Sequence, residues 1–181
     1  MLRGRSAGAL CIVLLALWGC RAEPGTDDAA RQAAATGVEA FFRYGMIELG
    51  PTRSDFQRQL GAPDSAASQP LPNPHDASIT DSVITLHYPG LAADVYRAGF
   101  DGRELLAALR ITSDRYLRPE SPLRIDTPAD ELQVLLGPAD EDQEGDLVYR
   151  CASCTMGGND AVRLLIDRGA LREIAVHYWI E

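Results

Sequence analysis

Apolar and polar positions along this chain fall into a pattern that occurs twice. Phe56 and Leu60 stand four apart, as do Leu132 and Leu136, so each pair shares one face of a helix of about two turns. Both helices end in nearly the same letters, LGAPD at Leu60–Asp64 and LGPAD at Leu136–Asp140. Gly61 and Gly137 stand where a left-handed C-terminal cap is wanted, and a proline within two residues prevents the helix from resuming. Thr52 and Thr127 are the expected N-caps. Ahead of each helix, Ile47-Glu48-Leu49 and Leu123-Arg124-Ile125 alternate, which predicts a short strand with one buried face.

Beyond each helix the period changes to two. Val83–Tyr88 leads through Pro89-Gly90 to Leu91–Ala98, and Asp101-Gly102 turns the chain into a strand carrying Leu106, Leu109 and Ile111. In the second stretch Leu147-Val148-Tyr149 pairs with Ala161–Ile166 across the loop Cys151–Asp160. Asp167-Arg168-Gly169 then turns into Leu171, Ile174 and Val176. The spacing Leu-x-x-Leu-x-Ile thus recurs. Ser65–Thr80, rich in Pro, Ser and Asn, reads as a longer loop in the first copy. The expected fold class is α+β: two tandem repeats, 46–113 and 121–181, each a strand, a short helix and three antiparallel strands. One helix covers one sheet face, so the other face stays wet, meets its twin or binds something.

The N-terminal segment follows another rule. Arg3 and Arg5 precede an apolar run, Ala7–Trp18, well short of the roughly 20 apolar residues that span a bilayer. It ends in Leu17-Trp18-Gly19-Cys20, which resembles the lipobox of bacterial lipoproteins, with Trp18 bulkier than that pattern usually has. The resemblance implies a signal peptide at 1–20, lipidation of Cys20, and membrane attachment through several acyl chains. Arg21 stands where an aspartate would mark inner-membrane retention, which, in a host with two membranes, implies an outer-membrane anchor facing the periplasm. Residues 21–45 read as a polar tether and a helix capped near Thr26, with Val38, Phe41 and Phe42 on its apolar stripe.

Charge narrows the partners. The chain carries a net −9 and no lysine; without Arg3 and Arg5, 15 arginines face 26 acidic residues, a net of −11. This acidity speaks against nucleic acid and against docking on anionic lipid. The order helix, LG-x-P, strands and G-x-L-x-x-I resembles the small outer-membrane-assembly lipoproteins of the SmpA/OmlA type. In duplicate, over about 46–181, it is similar to the β-lactamase-inhibitor-protein fold. The first family has Gly-Met where this chain has Gly50-Pro51, and the second has a disulfide in each half where this chain has one cysteine pair.

Few residues suggest chemistry. Cys151-Ala152-Ser153-Cys154 suits a structural disulfide in an oxidising compartment, with a redox pair and a metal site as alternatives. Asp140-x-Asp142-x-Glu144-Gly145 opens like a calcium loop, but its twelfth position is Cys151 rather than a bidentate glutamate, so an acidic hairpin loop is expected. No G-x-S-x-G, H-E-x-x-H, P-loop or G-x-G-x-x-G occurs, no cofactor is implied, and the reading is non-enzymatic. Alternation sets Arg110, His177 and Trp179 away from the core, with His87 and Arg150 beside them; Tyr96 fits either face. Trp and Arg are frequent interface anchors, although Trp179 also suits a cover for the C-terminal edge. The expectation is a lipid-anchored binding protein engaging an envelope protein through this face or the groove between repeats. A CxxC redox protein and a small-ligand binder are the alternatives.

Overall fold

The computed structural model describes residues 37–119, 121–151, 154 and 160–178. The segment 1–20 with its Cys20, the tether, the Thr26 cap and Trp179 lie outside the described residues. A helix over 37–43 (α1) continues as π-helical turns at Tyr44–Leu49, and α2 follows at Arg53–Leu60. Four strands come next: β1 (Ser65–Pro72), β2 (Thr80–Tyr88), β3 (Leu91–Arg97) and β4 (Glu104–Ile111). After a 3-10 turn at Asp114–Tyr116, α3 (Ala129–Leu136) leads to β5 (Glu141–Gln143), β6 (Asp146–Arg150), β7 (Ala161–Asp167) and β8 (Ala170–His177). All eight strands join one antiparallel sheet in the order β1-β2-β3-β4-β8-β7-β6-β5. The last strands of the two stretches therefore meet at the centre. Among the described residues, no helix is long and apolar enough to cross a membrane.

Strand alternation builds the core as rows that run unbroken across this centre. Leu86, Ala93, Leu109, Val176, Val162 and Tyr149 form one row of register partners, and Tyr88, Leu91, Ile111, Ile174, Leu164 and Leu147 the next. All are buried, and they pack with Val38, Phe41 and Phe42 of α1, Phe56 of α2, and Leu132 and Leu136 of α3. The described helices thus share one side of the sheet. Tyr178, just past β8, fastens α1: its hydroxyl donates to the carbonyls of Phe41 and Phe42, and its ring meets Phe42 edge-on at 5.3 Å. A methyl group at Gly45 would collide with that hydroxyl, so glycine permits the approach.

The Leu-x-x-Leu-x-Ile spacing has a geometric cause. Asp94 pairs with Ala108 but Val95 with Leu106, which leaves Ala107 as an extra residue in β4. Leu165 pairs with Glu173 but Ile166 with Leu171, which leaves Arg172 extra in β8. Each is a β-bulge, and it carries the apolar side chain before it back to the core face.

Several local expectations are corrected. Ile47–Leu49 is helical, closed by Gly50 N–H donating to the Gly45 carbonyl at 3.0 Å; Ile47 points to solvent and only Leu49 is buried. Three alternating residues fit either period. Leu123–Ile125 joins no strand, because its three N–H groups donate to side-chain oxygens of Ser121, Thr127 and Asp114. Thr127 is therefore occupied with Arg124 and does not cap α3; the cap position is Pro128, and Ala129 N–H donates to Gly169. Thr52 does cap α2, in a reciprocal box with Asp55. The expected loop at Ser65–Thr80 contains β1, and the expected acidic loop contains β5, so each helix precedes four strands rather than three. Both hidden strands lie at the sheet's edges. Prolines are tolerated in an edge strand, and a three-residue strand offers little edge to a neighbour.

Phe56 and Leu132 are both fully buried, whereas Val134 is exposed. Phe56→Ala is expected to lower unfolding stability by about 3–5 kcal/mol and Leu132→Ala by about 2–5 kcal/mol. Urea titration followed by circular dichroism checks both, with Val134→Ala expected to change it by less than about 0.5 kcal/mol.

Candidate functional site

The same alternation that fills the core lays out the opposite face, which carries none of the described helices and is called helix-free below. One row of register partners across all eight strands reads Ser65, His87, Ala92, Arg110, Ala175, Arg163, Val148 and Glu141. The adjacent row reads Ala67, Thr85, Asp94, Ala108, His177, Ala161 and Arg150. Alanines therefore floor the middle of the face, and arginines and histidines rise around them. Arg110 stands opposite Ala175 and His177 opposite Ala108, at the seam where β4 meets β8. Ala175 and Val148 are buried although none of the described helices packs on this face.

Of the residues singled out from sequence, Arg110, His177, His87 and Arg150 occupy these two rows. His87 lies two strands from Arg110, about 10 Å at the usual strand spacing. Arg150 lies two strands from His177 through Ala161. Trp179 falls outside the described residues. Tyr96 alternates with buried Val95 and so joins this face, beside Val83 and Leu105. Arg163, Asp94 and the alanine floor were missed, although the alternation of Val162, Arg163 and Leu164 carried the signal for Arg163.

Each arginine here is held by a carboxylate. Arg110 donates to Asp94 at 3.2 Å, and the Thr85 hydroxyl donates to the same oxygen at 2.6 Å. Arg163 Nη2 lies 2.8 Å from Asp146 Oδ2, while Asp146 also accepts the Ile166 N–H at 2.8 Å. Arg150 is paired with Glu141. These half-exposed pairs add little stability, but the second partner of Asp94 and of Asp146 fixes where the guanidinium sits. At the corner of the face, Asp81 is almost completely buried and accepts from Tyr96 (2.5 Å), Gly99 (2.8 Å) and Asn73 (2.9 Å). The bond from Tyr96 chiefly holds its carboxyl below the usual range. Asp81 thereby ties the β1–β2 connection to the end of β3.

Cys151 and Cys154 are joined by a disulfide with Cα atoms 5.4 Å apart. Cys151 is buried directly after β6, and its N–H donates to the Asp160 carbonyl. In the neighbouring acidic stretch, Asp140 accepts the Arg150 N–H and Asp142 the Gly145 N–H, so these two carboxylates serve the β5–β6 hairpin. Among the described residues, no group of three or more His, Cys, Asp or Glu is placed to hold a metal ion. Among the described residues, neither His87 nor His177 hydrogen-bonds a hydroxyl or thiol.

His177 carries the clearest electrostatic signature. Desolvation first, then Arg163 and Arg110, hold its imidazole below its usual value of 6.5, against an opposing pull from Asp94 and Glu173. Neutral imidazole is thus favoured in the folded state. Its stabilising contribution is complete above the unfolded-state value and is lost as pH falls through the folded-state value. By NMR titration, Arg163→Gln should raise the His177 pKa and Glu173→Gln should lower it further. His177→Gln should remove part of the stability loss seen by urea unfolding between neutral and mildly acidic pH.

Compared with known proteins, the chain matches no family model, no curated protein and no solved structure.

Proposed function

We propose that this chain is a periplasm-facing, lipid-anchored binding protein, made of two copies of one α+β unit, that engages an envelope protein through its helix-free sheet face. The observation that carries the reading is the face itself: eight strands wide, floored by alanines and lined by positioned arginines. Its large polar side chains frame a floor of small residues, a mixture suited to a partner's surface. Duplication is supported by three correspondences. α2 and α3 have eight residues each and both end at a positive-φ glycine. The bulges in β4 and β8 fall at matching places in the Leu-x-x-Leu-x-Ile spacing. Tyr88 donates to the Gly61 carbonyl as Tyr149 does to that of Gly137, so each four-strand stretch ties down the end of its own helix. The likeness to the SmpA/OmlA and β-lactamase-inhibitor-protein folds belongs to the same proposal, as do lipidation at Cys20 and the outer-membrane address. The competing reading, a redox protein at Cys151 and Cys154, rests on the CxxC spacing alone.

A photo-crosslinking residue at His87 or Arg150 is expected to trap one protein species in intact cells, and Arg110→Glu with Arg163→Glu to abolish that product. Equal trapping from exposed Val134, on the helix side, would defeat the assignment of this face. Cys20→Ala should abolish incorporation of labelled palmitate and release the protein from the membrane fraction.

A further inference from the structure

An open groove of about 550 Å³ lies at the corner of the sheet where Asp81 fastens the β1–β2 connection to the end of β3. Leu71, Pro72, Pro74, Tyr96 and Leu105 line it, together with Phe100 from the turn between β3 and β4. Phe100 is 82% exposed. A single exposed apolar side chain is ordinary. Phe100 is not single: Pro72 and Pro74 beside the same groove are exposed, and Leu71, Tyr96 and Leu105 are only half-buried. The apolar surface therefore extends from the turn into the groove.

Hydrogen bonds hold this surface in one shape. Asp81 accepts from Asn73 in the β1–β2 connection, from Tyr96 in the groove wall and from Gly99 next to Phe100. Ala98 N–H donates to the Arg103 carbonyl and Gly102 N–H to the Ala98 carbonyl, both at 2.9 Å, which closes the turn around Phe100. A methyl group at Gly99 would collide with the Thr80 carbonyl, so the turn lies directly against the start of β2. An aromatic side chain presented on a turn fixed in this way loses little freedom when it is covered, and that suits an interface anchor.

We propose that a second copy of this chain covers the groove, in a two-fold pair in which Phe100 of each copy packs against Pro72 and Pro74 of the other. A two-fold interface must be self-complementary, with a projection and its receptacle on one patch. Here Phe100 projects and the groove beside it receives. Charge points to the same occupant. Two copies of a chain with a net −9 repel one another overall. Beside Phe100 stand Asp101 and Arg103, one of each sign, both exposed and only loosely paired at 3.8 Å. Across a two-fold axis Asp101 of each copy faces Arg103 of the other, so two matched contacts replace repulsion at this place. The inference does not need the envelope partner, whose contacts are sought at His87 and Arg150.

The test expresses two full-length copies with different epitope tags together in intact cells, one of them carrying a photo-crosslinking residue at Pro74. The expected product contains both tags and has the combined mass of two chains, whereas the same probe at exposed Val134 yields none. Phe100→Asp in both copies should reduce the product about tenfold or more. Asp101→Arg in both copies, or Arg103→Asp in both, sets like charges opposite each other at two places and should reduce it about tenfold. Asp101→Arg in one copy with Arg103→Asp in the other restores opposite charges at both places, and the product should return to near the wild-type yield. Mixing two misfolded chains would not repair either, so this recovery separates a lost contact from a lost fold. Absence of the two-tag product from the wild type, equal trapping from Val134, an undiminished yield with Phe100→Asp, or no recovery in the mixed pair would overturn the proposal.

Discussion

Four residue pairs, Ala108–Ile111 of β4 against Ile174–His177 of β8, hold the two four-stranded stretches together. Without them each stretch would expose an apolar strand edge, the template for unwanted pairing that proteins cover or blunt. With them, the sheet's free edges fall to β1, which carries Pro70 and Pro72, and to β5, which has three residues. The same contact lets Leu109 meet Val176 and Ile111 meet Ile174, so the core is continuous rather than two small cores, each with too little buried surface. It also places Arg110 and His177 at one seam.

The acidity of the chain and the character of its helix-free face are connected. With arginine as the only strong cation and carboxylates in excess, Arg110, Arg150 and Arg163 each find an anionic neighbour on an adjacent or nearby strand. A bidentate, planar group held this way presents remaining N–H donors in a set direction, which a flexible ammonium would not. In the proposed reading, recognition by such a face depends more on matched acceptors than on bulk attraction, in keeping with a net charge that would repel acidic partners.

Much of the fold was legible because the chain punctuates strongly. Gly61 and Gly137, each with positive φ, end helices where the letters place them, and Thr52 caps as its spacing with Asp55 requires. The central strands were legible because their apolar residues alternate over long runs. Short runs were not: Ile47–Leu49 and Leu123–Ile125 carry too few residues to distinguish periods, and competing partners for their N–H groups decided against strands. The edge strands were hidden because strands with no buried face need no apolar pattern. On the candidate face, Arg110, His177, His87 and Arg150 followed from alternation alone. Arg163 obeys the same rule, and its importance emerges from its place across the seam strand β8 from Arg110.

The sequence by itself determined the two short helices that stop at Gly61 and Gly137, the inward and outward faces of the central strands, and the acidic, lysine-free composition, since these depend on local dihedral preferences and on period. Only the tertiary structure decided that β4 and β8 pair and that alanines from four strands form one floor. Such contacts join residues distant along the chain, and their register is set by the packing of the whole core, which no local pattern encodes.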